Sequence, residues 1–415
     1  MEKLQRAVGN YVTGDKFWDR EEDLALFTEL LDEGANILMA APRRIGKTSL
    51  IREVSERIAD RYYCLHVDLQ KAESPADAVA EVSKATHPHK NLWNKTREVF
   101  KNILDGVRDN IENLGIDDLT VTLRSGLTAG DWQKKGDQLF STLSDADKPV
   151  VIFFDEFPIL VNRLLKGNEF RITPERRRET DLFMSWMRDN SIRHKGTVRI
   201  VITGSIGIEP ALRQAELSAT LNTFTPFVLP AWSEGSAKGC LEALANQYKI
   251  KLRTQAINRV IERLGYLIPH HVQLFFDNIY MDCRRKKLDK VTSEHVDEVY
   301  DKHMLSIRGH AELSHMEERL KMAFGLEIYP LSLEILTETA VKGSIDSKTA
   351  MTICKEFESV ESYSNSILRE ILEILQHDGY LEQKGDRFFF SSNLLRDWWE
   401  RRFASSYTPV SERTV

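Results

Sequence analysis

The stretch NILMAAPRRIGKTSLIREVSERIA, residues 36–59, restricts the fold of this chain more than any other part of it. Ile37, Leu38 and Met39 read as a short buried strand, and Leu50, Ile51, Val54 and Ile58 space their side chains along one face of a helix. The segment between them, APRRIGKTS, meets the phosphate-loop pattern G-x-x-x-x-G-K-[ST] at Gly46, Lys47 and Thr48, with Ala41 in place of its first glycine. That first position ends the strand, so alanine serves there if it keeps a negative φ. Gly46 frees the backbone to approach an oxyanion. The amides of residues 44–48, with a helix N-terminus behind them, can then point at phosphates. On this reading Arg44, Ile45, Gly46, Lys47, Thr48 and Ser49 cradle ATP. Lys47 reaches the β and γ oxygens as a mobile charge, and the Thr48 hydroxyl ligates Mg²⁺. A chance G-K-T at a helix start is the alternative, and the flanking strand and helix count against it.

A second motif, PVVIFFDEFPIL, covers residues 149–160. Five apolar residues in a row suit a parallel strand buried on both faces. Such a strand places Asp155 and Glu156 at the carboxyl edge of the sheet, where open α/β folds bind ligands. Asp155 suits a Mg²⁺ ligand, direct or through water, and Glu156 suits the group that orients and polarises an attacking water. A strand ending in an acidic helix cap is the plainer account. A third strand, Val198 to Ile202, runs into Thr203-Gly204-Ser205; either Ser205 or Thr203 could hydrogen-bond a γ-phosphate or the water. Thr-Gly-Ser is also an ordinary turn. Upstream, Leu24, Leu26, Phe27, Leu30 and Leu31 mark an amphipathic helix starting near Asp19. Val12 and Phe17, ahead of the loop, are candidates to cover an adenine face, or to pack on the sheet.

Composition sets the outer limits. The 415 residues carry 57 Lys and Arg against 63 Asp and Glu, a net charge of −6. A whole-surface attraction to nucleic acid or anionic lipid is therefore not expected, and any basic footprint must be local. Mean hydropathy is −0.36, and no apolar run approaches the ~18 residues of a membrane span. The N-terminus, MEKLQRAVGNYVTG, lacks the apolar core of a secretory signal. Cys64, Cys240, Cys283 and Cys354 lie far apart without a C-x-x-C pair, which favours reduced thiols over a disulfide framework. These features predict a soluble, cytoplasmic protein of several domains without a membrane partner.

From Ser233 the pattern turns helical. Leu241, Leu244 and Ala245 form one stripe, and Ile257, Val260, Ile261 and Leu264 a second. GYLIPHHVQLFFDNIY follows at 265–280. His270 and His271 are adjacent and point in different directions on a helix, which disfavours a shared metal. Three helices are then expected over 331–340, 350–357 and 367–375. A hairpin of Tyr380-Leu381-Glu382 and Phe388-Phe389-Phe390 follows, turning at Lys384-Gly385-Asp386, and a last helix carries Trp398, Trp399 and Phe403. That order is one of a winged helix. The tail after Ser405 is expected to be unstructured. Residues 90–146 are long for a crossover and mostly helical, with Val121 and Leu123 expected to be extended. Arg176, Arg177 and Arg178 are either phosphate contacts or a solvated helix face.

Taken together, F-x-x-R-E-x-x-L at Phe17, Arg20, Glu21 and Leu24, A-P-R-R-x-G-K-T-S at 41–49, and F-D-E-F at 154–157 resemble the archaeal-type ATPase family of the AAA+/STAND P-loop NTPases. The likeness continues through T-G-S-I-G at 203–207 and F-V-L-P at 227–230, and spans roughly residues 10–400. It implies an α/β P-loop core with a five-stranded parallel sheet, a helical lid and a C-terminal winged helix. The boundaries would be a core over 1–231 with a helical insertion near 76–146, a lid over 232–328, a winged helix over 329–405 and a tail over 406–415. Two departures stand out. Ala41 replaces the usual glycine, and the arginine that relatives often carry before the last core strand is absent from ATLNTFTPFVLP, residues 219–230. Arg213 is the nearest substitute, or an ordinary exposed residue. The expected function is Mg²⁺-dependent ATP hydrolysis that controls a winged helix contacting double-stranded DNA or a protein, with a homo-oligomer possible. A slow nucleotide-gated switch or scaffold is the alternative.

Overall fold

A computed structural model describes residues 4–7, 9, 11–104, 116–127, 131–306, 311–357 and 365–413. The chain forms two compact units, one of residues 20–40 and 50–229, the other of 1–19, 41–49 and 230–415.

In the first unit, β1 (Asn36–Ala40), β2 (Tyr63–Asp68), β3 (Val150–Asp155), β4 (Val198–Thr203) and β5 (Phe224–Val228) make one sheet in the order β2-β3-β4-β1-β5. Every neighbouring pair is parallel. A parallel sheet needs a crossover between successive strands, and helices supply them. α1 (Glu21–Asp32) precedes β1 and α2 (Lys47–Ile58) leads to β2. Between β2 and β3 lie α3 (Pro75–Ala85), α4 (Lys90–Val99), α5 (Lys101–Leu104), α6 (Ile116–Gly126) and α7 (Asp131–Ser144). α8 (Phe157–Lys166) and α9 (Pro174–Arg193) precede β4, and α10 (Ile208–Gln214) precedes β5. The apolar run 150–154 is buried throughout, as is all of β4. β4 even buries Arg199, whose guanidinium is satisfied by Leu31 O at 2.6 Å and Gly196 O at 2.9 Å and lies over the Tyr62 ring. Paired in this way, a buried charge is tolerated.

The crossover region corrects one expectation. Val121 and Leu123 are helical, within α6. Thr120, Leu123 and Leu127 are buried while Val121 is exposed; burial at i, i+3 and i+7 is a helix period, which outweighs the β-branched residues at 120–122. The strand order reverses around β1, with β5 on one side and the path to β2 through β4 and β3 on the other. In such sheets the carboxyl edge at the reversal is where ligands bind.

His66 on β2 stacks on Phe153, with ring centroids 5.2 Å apart. Burial, helped by the Arg52 and His89 charges, pushes its imidazole down from 6.5 to about 4. The unfolded chain therefore takes up this proton at higher pH than the folded chain. Its contribution is complete above pH 6.5 and is lost as pH falls to about 4, on the order of 2–3 kcal/mol. Urea unfolding followed across that window should show His66→Gln with a shallower acid loss than the wild type; parallel curves would remove the assignment.

The second unit holds α11 (Glu234–Gln247), β6 (Lys251–Leu252), α12 (Thr254–Leu264), α13 (Pro269–Lys286), β7 (Lys290–Val291) and α14 (Ser293–Val299). It continues through α15 (Ala311–Lys342), β8 (Ile345–Asp346), α16 (Ser347–Glu356), α17 (Asn365–His377), β9 (Leu381–Lys384), β10 (Arg387–Phe390) and α18 (Asn393–Phe403). The helix expected at 331–340 is the end of α15, which breaks at Gly325 (φ 73°) and carries Pro330 just beyond the break. Five residues past the break, that proline removes one amide donor from the helical ladder. The predicted hairpin is β9–β10, turning at Gly385 with φ 63°, and β8 adds a third antiparallel strand against β10. Trp398 and Trp399 are buried among the helices.

The expectation of an unstructured tail fails through Arg413. Glu338 on α15 is buried and accepts from Tyr407 Oη at 2.8 Å and Val410 N–H at 3.2 Å, while Arg413 pairs with Glu334 at 2.6 Å. A buried carboxylate needs such donors, and the tail is their source.

Candidate functional site

β3 ends at Asp155, and the next residue, Glu156, takes a left-handed conformation (φ 55°, ψ 29°) as the cap of α8. Non-glycine residues pay ~1–2 kcal/mol for that conformation, so the surroundings must hold it. They do so through the end of β4. The Ser205 amide and hydroxyl donate to Glu156 Oε2 at 3.1 and 2.6 Å. Thr203 Oγ1 donates to Asp155 Oδ1 at 2.8 Å, and the Glu156 amide donates to the same oxygen at 3.1 Å. Thr203 and Ser205, alternatives in the sequence, thus serve different carboxylates: Thr203 orients Asp155 and Ser205 orients Glu156. Gly204 lies between them because a Cβ there would come within 2.4 Å of the Pro158 ring. Arg213 is an exposed residue of α10. Arg176 donates to Lys166 O, and Arg177 pairs with Glu216 at 2.6 Å, so both have a local structural use.

The phosphate loop belongs to the other unit. Arg44 (φ 66°) and Gly46 (φ 107°) both have positive φ. Left-handed residues alternating with right-handed ones turn successive amides to one side and make an anion-binding concavity. Ile45 is fully buried, so its part in such a cradle is its amide. Lys47 is also buried, and its ammonium donates to Ala41 O at 2.7 Å and Pro42 O at 3.0 Å, within its own loop. The Ser49 hydroxyl accepts the Val12 amide at 3.0 Å, and Arg44 Nη1 donates to Gly9 O at 2.6 Å. Val12 is therefore placed beside the loop. Phe17 is half-buried and closes the short helical turn 14–16.

In the same unit, Pro42, Arg43 and Arg44 line a small cavity with Ile268, His271 and Gly379. Gly379 has φ 79°, and a Cβ there would meet Pro42 at 3.1 Å. Gly265 (φ 68°) ends α12 and Pro269 opens α13, which sets the turn that presents His271.

Trp18 escaped the sequence reading. Its indole donates to Ser236 O at 3.0 Å, and its ring lies 3.2 Å from where a Gly239 Cβ would be. A tryptophan ahead of a charged helix carries no local sign of such a partner.

No protein-family model and no curated protein matches the chain. Among solved structures it is similar to a Walker-type ATPase of Pyrococcus abyssi, at 15% identity and a TM-score of 0.61, over 95% of this chain and 99% of that one. It is also similar to the ORC2 protein of Aeropyrum pernix, solved in ADPNP-ADP complexes, at 13% identity and a TM-score of 0.51, over 92% and 93%. At such identities the likeness speaks for the fold. The parallel five-stranded sheet with its helices is the fold it shares with these two structures.

Proposed function

We propose that this chain is a Mg²⁺-dependent ATPase whose nucleotide state controls the helices and hairpin of its C-terminal part. The observation that carries the reading is the pair of oriented carboxylates. Asp155 and Glu156 follow β3 at the carboxyl edge of a parallel sheet, each held by its own hydroxyl. β1 of the same sheet feeds the G-K-T loop. In this reading Lys47 gives up its two loop carbonyls for β/γ-phosphate oxygens, and the amides of 44–49 hold the remainder. Thr48 and Asp155 would hold Mg²⁺. The Asp155 carboxylate, oriented by the Thr203 hydroxyl, is an oxygen donor that fits such a cation. When bound, the metal neutralises charge on the β and γ oxygens. Glu156 orients the attacking water and takes its proton, and Ser205 fixes the carboxylate for that task. Val12 and Phe17 flank the nucleoside.

We read the C-terminal part as a lid over 232–328 and a winged helix over 329–405. Its order of helix, strand, two helices, strand, turn and strand supports this. DNA and protein were both open as partners, and the charges favour a protein. Arg387 donates to Ser344 Oγ at 2.9 Å and pairs with Asp346, which ties β10 to β8, and Lys384 pairs with Glu382. α17, which a DNA reader would lay in a groove, carries Glu370 and Glu373 against Arg369. Phosphate contacts release counterions and weaken steeply with salt. The full chain should therefore show no salt-sensitive duplex binding between 50 and 200 mM salt, with Lys384→Glu matching the wild type. Tight low-salt binding that Lys384→Glu abolishes would restore DNA as the partner.

The ATPase reading itself is tested by phosphate release from Mg–ATP. Steady release that stops with a chelator supports it. Release indifferent to the chelator counts against the metal's role.

A further inference from the structure

We propose that Arg6 is a positioning residue for nucleotide, pinning an N-terminal strap to the lid helices so that the strap's middle lies beside the phosphate loop. The inference rests on the proposed nucleotide site and adds a part to it. Arg6 makes three kinds of contact in one place. Its guanidinium lies 4.8 Å from the Tyr248 ring centroid and 3.9 Å from that of Tyr280, and it pairs with the Asp277 carboxylate. Its amide donates to Tyr248 Oη at 3.1 Å. Two residues before it, Leu4 is buried in the apolar cluster of α11–α13. A cation held by two aromatic faces and a carboxylate is a stronger anchor than an exposed ion pair.

The far end of the strap is pinned as well, by the Trp18 indole on Ser236 O of α11. Next to Arg6, Gln5 N–H donates to Asp15 O at 2.9 Å, which brings the two ends of the strap together. Its middle then contributes two bonds to the phosphate loop: Gly9 O accepts from Arg44, and the Val12 amide donates to Ser49. These two bonds hang Val12 on the edge of the loop, so Arg6 acts through the strap on the nucleoside side of the proposed site. It also ties the strap to α13, the helix that carries Asp277 and Tyr280 and begins at the cavity beside Arg43 and Arg44.

The strap carries Val12 and Phe17, so its docking matters for the nucleoside half of the ligand. If Arg6 is lost the strap undocks part of the time, and the apparent affinity falls by the docked fraction. Arg6→Ala in the full chain should weaken ATP about tenfold. It should leave inorganic tripolyphosphate, which has no nucleoside, within about twofold of the wild-type affinity. A merely destabilising change would lower both. Tyr280→Leu, made from the lid side, should reproduce the effect, and Arg6→Lys should restore part of it, since it keeps the charge. Titration calorimetry with the two ligands distinguishes the outcomes. Wild-type ATP affinity in both Arg6→Ala and Tyr280→Leu overturns the strap, as does an equal loss for ATP and tripolyphosphate. A wild-type chain that binds neither ligand overturns the nucleotide site beneath it.

Discussion

Glu156→Gln is expected to bind Mg–ATP as the wild type does and to release phosphate at least about a hundredfold more slowly. General-base catalysis contributes ~10²–10⁴ in rate, and an amide cannot take the proton. The substitution disturbs little else. Gln keeps a carbonyl oxygen to accept the Ser205 hydroxyl, which stands 2.6 Å from Oε2, and it is nearly isosteric in the left-handed cap. Binding measured by titration and turnover measured in a single-turnover experiment separate the two effects. Wild-type turnover in this variant would mean that the base lies elsewhere. Loss of binding would mean that Glu156 has a role in ligand capture rather than in the chemical step.

Lys47→Ala should weaken ATP by about 1.5–3 kcal/mol, or roughly 10- to 150-fold in Kd. The side chain is buried and its ammonium already has two acceptors, Ala41 O and Pro42 O. Binding therefore exchanges carbonyl partners for phosphate oxygens, and the gain is the difference between a neutral and a charged acceptor. This makes the lower half of the range the better expectation. The circular dichroism spectrum reports whether the loop's loss of Lys47 has unfolded the chain, and Kd from a titration reports the contact. Unchanged affinity in a folded variant would remove Lys47 from the phosphates.

Much of this was legible because its signals are local. Val150 to Phe154 could only be a strand buried on both faces, and the loop at 41–49 announces itself by spacing. The roles of Thr203 and Ser205 were not legible, since they depend on how β3 and β4 are paired; parallel register brings Phe154 opposite Ile202 and so sets one hydroxyl on each carboxylate. The left-handed Glu156 was equally hidden, because glutamate carries no preference for positive φ. Arg6 and Trp18 find their partners more than 200 residues away, and no window of sequence contains both sides of those contacts. The tail misled for the same reason. SYTPVSER looks like a loop, yet it satisfies a buried carboxylate on α15. Val121 and Leu123 failed differently: β-branched neighbours suggested a strand where burial at Thr120, Leu123 and Leu127 follows a helix.

The central claim, that the loop of residues 41–49 holds a nucleotide, is met most directly by titrating ATP into the full wild-type chain with Mg²⁺ present and recording the heat. One ATP per chain is expected, saturating below millimolar concentration and competed by ADP. No saturable heat up to several millimolar ATP, from a chain shown to be folded, would contradict it.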